Sequence, residues 1–175
     1  MNTNIKYISH NTSDKLERSQ LHGEEVLMVF IGAGTGNVSL VPKGKWHLGP
    51  NVAKITLDKI IPEFLNYYLQ SPLGQSYIKS KMKATAQQSL SMGTIREILV
   101  HLPPIQEQKE IVKKLNLLLS SLDKEFGVIN SIDIKSIKQS ILSKAFRGEL
   151  GTNDPDEENV MGILREVIEK GQLNK

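Results

Sequence analysis

The chain contains no cysteine. Structural disulfides and thiolate metal sites are therefore excluded, and the composition fits a reducing compartment. No run approaches 18 consecutive apolar residues, so no segment is expected to span a membrane. The first residues, MNTNIKYISHNTSDKLERSQ, lack the apolar stretch of a signal peptide, and a cytoplasmic location is expected. Arginine is absent between Arg18 and Arg96. Arginine is the commonest reader of guanine, so that interval is a poor source of strong guanine contacts. Acidic residues are sparse there too, leaving no carboxylate pair to hold magnesium for phosphodiester cleavage. Histidines 10, 22, 47 and 101 are scattered without ligand spacing. The run Gly32-Ala33-Gly34-Thr35-Gly36 has no following Gly-Lys-Ser/Thr and leads into a strand-like segment. A phosphate loop must open a helix, so a tight strand connection is the better reading. No Gly-x-Ser-x-Gly elbow occurs. We expect no catalytic centre, no metal and no cofactor.

Apolar residues are on the low side at 39%, which suits a modest core and much exposed helix surface. The net charge of +3 is small but unevenly placed. Lysines 43, 45, 54, 59, 79, 81 and 83 face only Asp58 and Glu63 in their interval, whereas residues 151–175 are acidic. A basic middle suggests a nucleic-acid partner without identifying one; a solvated lysine surface explains it equally well.

Residues 1–20 show no period and are expected to form a loosely ordered arm. Glu25–Ile31 reads as a buried strand between Gly23 and Gly32, Val38–Val41 as a second strand, and Val52–Leu57 as a half-buried third. Pro62 opens a helix with Phe64, Leu65, Tyr68 and Leu69 on one face. Ser71 caps a further helix opened by Pro72. Residues Ala84–Met92 have no period, Thr94 can cap a short turn, and Leu99–Leu102 reads as a strand. Pro103-Pro104 then introduces a stretch, Ile105–Phe146, without proline. As one helix it would be about 60 Å long. Val112, Leu115, Leu119, Leu122, Phe126 and Ile129 form a heptad seam. The seam resumes one residue late at Ile134 and continues through Ile137 and Ile141, so it drifts near Gly127–Asn130. Arg147-Gly148 is a stop signal, and Asp154-Pro155 opens a final short helix with Val160, Ile163, Leu164, Val167 and Ile168 on one face. The expected fold is α+β. A small, mostly antiparallel recognition domain (1–102) precedes one long coiled-coil-forming helix (103–148) and an acidic tail (149–175).

The segments HLPPIQEQKEIVKKLNLLLSSLD and IKQSILSKAFRGEL resemble the specificity (S) subunit of type I restriction–modification enzymes. In that family Leu-Pro-Pro-x-x-Glu-Gln, here Leu102–Gln108, enters a long helix, and the pattern at Gln139–Leu150 closes it. VLMVFIGAGTGNVSLV, NVAKITL, PEFLNYYLQSPLGQSYI and TAQQSL resemble the later part of a target recognition domain. Full subunits carry two such domains and two such helices, so this chain resembles a half-subunit or C-terminal fragment. Family members often carry glutamine where Pro50 stands.

The resemblance implies a non-catalytic subunit that reads half of a bipartite site in double-stranded DNA. It also implies docking of methyltransferase (M) subunits and, through them, restriction (R) subunits. One seam per chain calls for a partner helix, and a two-fold homodimer is the simplest supply. Candidate phosphate contacts are Lys43, Lys45, Lys54, Lys79, Lys81 and Lys83. Candidate base contacts are Asn37, Trp46, His47, Gln87, Gln88 and Ser89, whose amides, rings and hydroxyls suit base edges. Two rivals remain: a truncated remnant that binds M subunits without reading DNA, and a plain coiled-coil adaptor.

Overall fold

The computed structural model describes residues 6–56, 58–82, 88–125 and 131–150, the side chains of 123–125 and 131–133 excepted. A short helix, α1 (His10–Lys15), a 3-10 turn (Glu17–Ser19) and β1 (Gln20–Leu21) come first. The arm expected to be loose is therefore structured from His10 onward. Ser9 caps α1 by accepting the Thr12 N–H at 3.2 Å. The His47 ring holds the rest, one nitrogen 2.8 Å from Ser13 Oγ and the other 2.8 Å from Ser19 Oγ.

Strand β2 (Val26–Val29) is the centre of a three-stranded antiparallel sheet, flanked by β3 (Val38–Leu40) and β5 (Val52–Ile55). Met28 lies opposite both Val38 and Ala53. Burial alternates along β2, as period two dictates for a strand covered on one face: Val26 and Met28 are buried, Leu27 and Val29 less so. A second ladder pairs β1 with β4 (Trp46–His47). In the turn from β1 to β2 the buried Glu25 carboxylate accepts the backbone N–H groups of His22, Gly23 and Glu24 at 2.9–3.2 Å. Burial pushes its pKa up, but these hydrogen bonds outweigh that and hold it below the usual carboxylate value.

Helix α2 (Pro62–Gln70) covers the sheet with Phe64, Leu65, Tyr68 and Leu69, the four residues its period selects. Helix α3 (Pro72–Ser80) turns away at Ser71, whose Oγ accepts the Gly74 N–H at 3.1 Å. The turn is so tight that a Cβ at Gly74 would lie 2.1 Å from the Tyr68 carbonyl oxygen. Ser91 caps α4 (Met92–Arg96), and Thr94 returns the bond to the Ser91 N–H at 2.8 Å, so Thr94 completes the cap rather than making it. The run Leu99–Leu102 joins no ladder. Leu99 and Leu102 are exposed, and the run is held by Tyr68, whose hydroxyl lies 2.9 Å from His101 Nδ1 and donates to the Leu99 carbonyl at 3.3 Å.

The largest departure from the sequence reading lies in Ile105–Phe146. It is not one rod. Helices α5 (Ile105–Glu125) and α6 (Ser131–Phe146) pack against each other through Leu115, Leu118 and Leu122 on one and Ile141, Leu142 and Ala145 on the other. On a straight helix Leu118 and Leu142 would be about 36 Å apart. The seam expected to await another chain is thus closed from within: Leu115, Leu122 and Ile141 are buried, Leu119, Ile134 and Ile137 half-buried, and Val112 packs on the sheet core. Leu118, off the seam, is buried as well, because α2 also packs on this pair and a helix with two neighbours needs a wider apolar face. Phe126, Ile129, the register drift at Gly127–Asn130 and the expected tail helix lie outside the described residues.

Both signature segments meet on α2. The Phe146 ring stands edge-on to Phe64 and Tyr68, at centroid distances of 5.5 and 5.2 Å. Gln108 is buried and spans the joint: its Oε1 accepts the Ile61 N–H and its Nε2 donates to the Pro103 carbonyl, both at 2.9 Å. Replacing Gln108 with Leu strands one backbone donor and one acceptor. It should cost about 2–5 kcal/mol of stability in urea unfolding. A loss under about 1 kcal/mol would show that the amide is not the joint.

Candidate nucleic-acid interface

The loop joining β2 to β3 is the glycine run. Gly32 and Gly36 have φ of 105° and 89°, and Asn37 closes the turn by donating its N–H to the Gly34 carbonyl at 2.9 Å. This is a strand connection, as the sequence indicated, and no helix follows it. A Cβ at Gly36 would lie 2.7 Å from Met82 Cε and 3.0 Å from Ile78, so the loop sits directly on α3 and the residues after it. Gln75 fixes the approach by donating to the Gly36 carbonyl at 3.1 Å and the Leu69 carbonyl at 2.8 Å.

A further segment, residues 88–90, lies along the end of β2. Ile31 bridges to Ser89, the Leu90 N–H donates to Phe30 at 2.9 Å, and the Gly32 N–H reaches the Gln88 carbonyl at 3.4 Å. Buried Thr35 tightens this junction, its hydroxyl lying 2.6 Å from the Gly32 carbonyl and 3.0 Å from that of Gln88. Asn37, Gln88 and Ser89 are thus brought to one end of the sheet, with α3 against the same loop. Thr35 and Gln75 were missed by the sequence reading. The only signal was a hydroxyl residue inside a glycine run, which carries no periodicity.

The other candidates divide. Asn37 and Lys43 lie at opposite ends of β3, so they do not form one cluster. Lys43 and Lys45 are exposed, and Trp46 is 36% exposed beside Gly44. His47 has both ring nitrogens engaged with Ser13 and Ser19, and Lys54 Nζ donates to the Gln20 carbonyl at 3.1 Å. Those two side chains hold β1 and the N-terminal turns in place. Lys81 pairs with Glu97 at 2.9 Å in a surface contact worth little to stability. Lys79 is exposed at the end of α3. Lys83 and Gln87 lie outside the described residues. Among the described residues no three metal-binding side chains converge, and no helix is long and apolar enough to cross a membrane.

Comparison with known proteins adds a family. The pattern described as "Type I restriction modification DNA specificity domain" matches residues 1–139. The Type I restriction enzyme EcoBI specificity subunit of Escherichia coli is 32% identical over 151 residues, 83% of this chain and 32% of that protein. The EcoKI specificity subunit of Escherichia coli strain K12 is 37% identical over 101 residues, 56% of this chain and 22% of that protein. The MjaVIII specificity subunit of Methanocaldococcus jannaschii is 30% identical over 124 residues, 71% of this chain and 26% of that protein. The chain therefore spans about a third or less of these relatives.

Thr35 ties two chain segments together, so Thr35→Val should speed amide exchange at Gly32 and Leu90 about tenfold while leaving β5 unchanged. Unaltered exchange at both amides would dismiss Thr35 as a tether.

Proposed function

The chain belongs to the type I restriction modification DNA specificity family, and on that footing we propose that it reads half of a bipartite sequence in double-stranded DNA. The observation that carries this reading is the family match, which runs through the sheet domain, all of α5 and half of α6. The chemistry is consistent with it. A non-catalytic reader needs cations for phosphates and amides or hydroxyls for base edges, held on a rigid scaffold. Asn37, Gln88 and Ser89 supply the polar edge at the glycine loop. Exposed Lys43, Lys45 and Lys79 supply free cations. Trp46 stands on the same rim as the first two, and Lys81 adds charge only by leaving Glu97.

The M subunits would dock on the face of α5 beside the start of α2, where exposed Leu117 sits among Lys113, Asn116 and Ser120, with Ile61 and Glu63 alongside. R subunits would join through them. Binding to a duplex should weaken with salt. Removing Lys43, Lys45 and Lys79 together should reduce the log–log salt slope by up to about 3, with sequence preference kept. Gln88→Ala should instead relax preference at a base pair, at a cost of about 1–3 kcal/mol. Binding to M subunits with no DNA preference under any of these conditions would favour the remnant reading.

We also propose a homodimer, formed by exchange of α6. The pairs that close the helical hairpin, Leu118 with Ile141 and Leu142, would close equally between two chains crossing antiparallel. The absence of native cysteine makes the test clean. With Leu118→Cys and Leu142→Cys in one chain, oxidation should give a covalent dimer on a non-reducing gel. An internally crosslinked monomer at micromolar concentration would rule out exchange.

A further inference from the structure

Strand β5 is an edge of the three-stranded sheet, paired with β2 on one side and, among the described residues, with no strand on the other. Antiparallel pairing gives alternate residues to the neighbour and turns the rest outward. The Phe30 N–H donates to the Asn51 carbonyl at 2.9 Å, and that register carries on to Ala53 opposite Met28 and Ile55 opposite Val26. Val52 and Lys54 therefore turn their main-chain N–H and C=O groups away from β2, and among the described residues no group takes them. The opposite edge is treated differently. There the outward carbonyl of Val38 accepts the Gln70 Nε2–H at 3.2 Å, from α2 packed beside β3.

A cavity of about 410 Å³ adjoins the open edge. Its walls are apolar: Met28 and Ala53 from the sheet, Leu65 and Leu69 from α2, Ile95 from α4 and Ile98 just after it. Arg96 lines it too and is exposed, with no ion-pair partner among the described residues.

We propose that β5 is a docking edge for an extended segment of a partner protein. The segment adds as a strand beside Val52–Ile55, places an apolar side chain in the cavity and sets a carboxylate against Arg96. A row of unpaired main-chain groups is a template for one more strand. Lysine commonly blunts such an edge, but the Lys54 ammonium is held by the Gln20 carbonyl at 3.1 Å, so it does not guard the edge. Side chains of an added strand alternate between faces, and those on the side of Met28 and Ala53 meet the cavity. Main-chain bonds then supply affinity, the cavity selects an apolar residue, and the unpaired guanidinium selects an acid beside it. The site uses none of Asn37, Gln88 or Ser89, so it stands or falls apart from DNA reading.

The probe is the peptide acetyl-Glu-Val-Thr-Leu-Thr-amide, titrated into the full-length chain up to about a millimolar and followed by amide resonances and hydrogen exchange. It should shift Ile95 and Ile98 and slow exchange at Val52 and Lys54. Methylating the peptide nitrogens at alternate residues should abolish binding for one of the two alternating sets and spare the other. Lys54→Pro removes the outward N–H where an edge strand tolerates proline, and it should weaken binding about tenfold or more. Lys54→Met keeps that N–H and should bind within about twofold of the unaltered chain. Arg96→Glu should weaken the peptide about tenfold, and lysine in place of the peptide's glutamate should restore it. Absent protection at Lys54, binding indifferent to Lys54→Pro, or tolerance of both methylated sets overturns the proposal. The last result would assign the cavity to a small apolar ligand. A Lys54 amide already protected without peptide also overturns it, and protection rising with protein concentration would assign the edge to a second copy.

Discussion

The buried amide of Gln108 is the contact on which the arrangement depends. One side chain satisfies the Ile61 N–H just before α2 and the Pro103 carbonyl just before α5. A buried amide left half-paired costs more than it returns, so both bonds must form together. That requirement sets where α5 leaves the sheet domain. The proline pair fixes the direction of approach, since prolines donate nothing and restrict their neighbours to extended backbone. Phe146 completes the joint from the other end, edge-on to the two aromatic rings of α2. Helix α2 thus serves two cores at once, one against the sheet and one against the helical pair.

Much of the sheet domain was legible because its signals are local. Gly23 and Gly32 bound the β2 run, Pro62 and Pro72 open α2 and α3, and Ser71 caps where a capping serine should. The four apolar residues selected by period on α2 are the four that are buried. The N-terminal turns were not legible. Their order comes from His47, more than twenty residues away in sequence, and no periodicity encodes such a bond. Leu99–Leu102 has strand composition, but a strand needs a neighbour to accept its ladder, and composition cannot supply one.

The reading of Ile105–Phe146 failed for a different reason. A heptad seam states that a helix has a partner and says nothing about which chain provides it. The register drift near Gly127 falls outside the described residues, and in a sequence a drift is equally compatible with a kink, a change of partner or a turn. Leu118 marks the limit of the heptad template. A helix packed on two neighbours buries residues that a two-stranded seam would leave in water. Among the candidate contacts, Asn37 and Gln88 are exposed at the glycine loop, whereas His47 and Lys54 were indistinguishable in sequence from free ring and ammonium groups. Only their partners reveal that they are already engaged.

The attachment of residues 88–90 to the end of β2 is made by main-chain groups and by the hydroxyl of Thr35. None of those bonds involves the side chains of Gln88 or Ser89. The fastening is therefore indifferent to what those two positions carry. A chain built this way can exchange the side chains it displays at the sheet's edge without renegotiating its fold, so its surface chemistry and its stability are free to evolve on separate schedules.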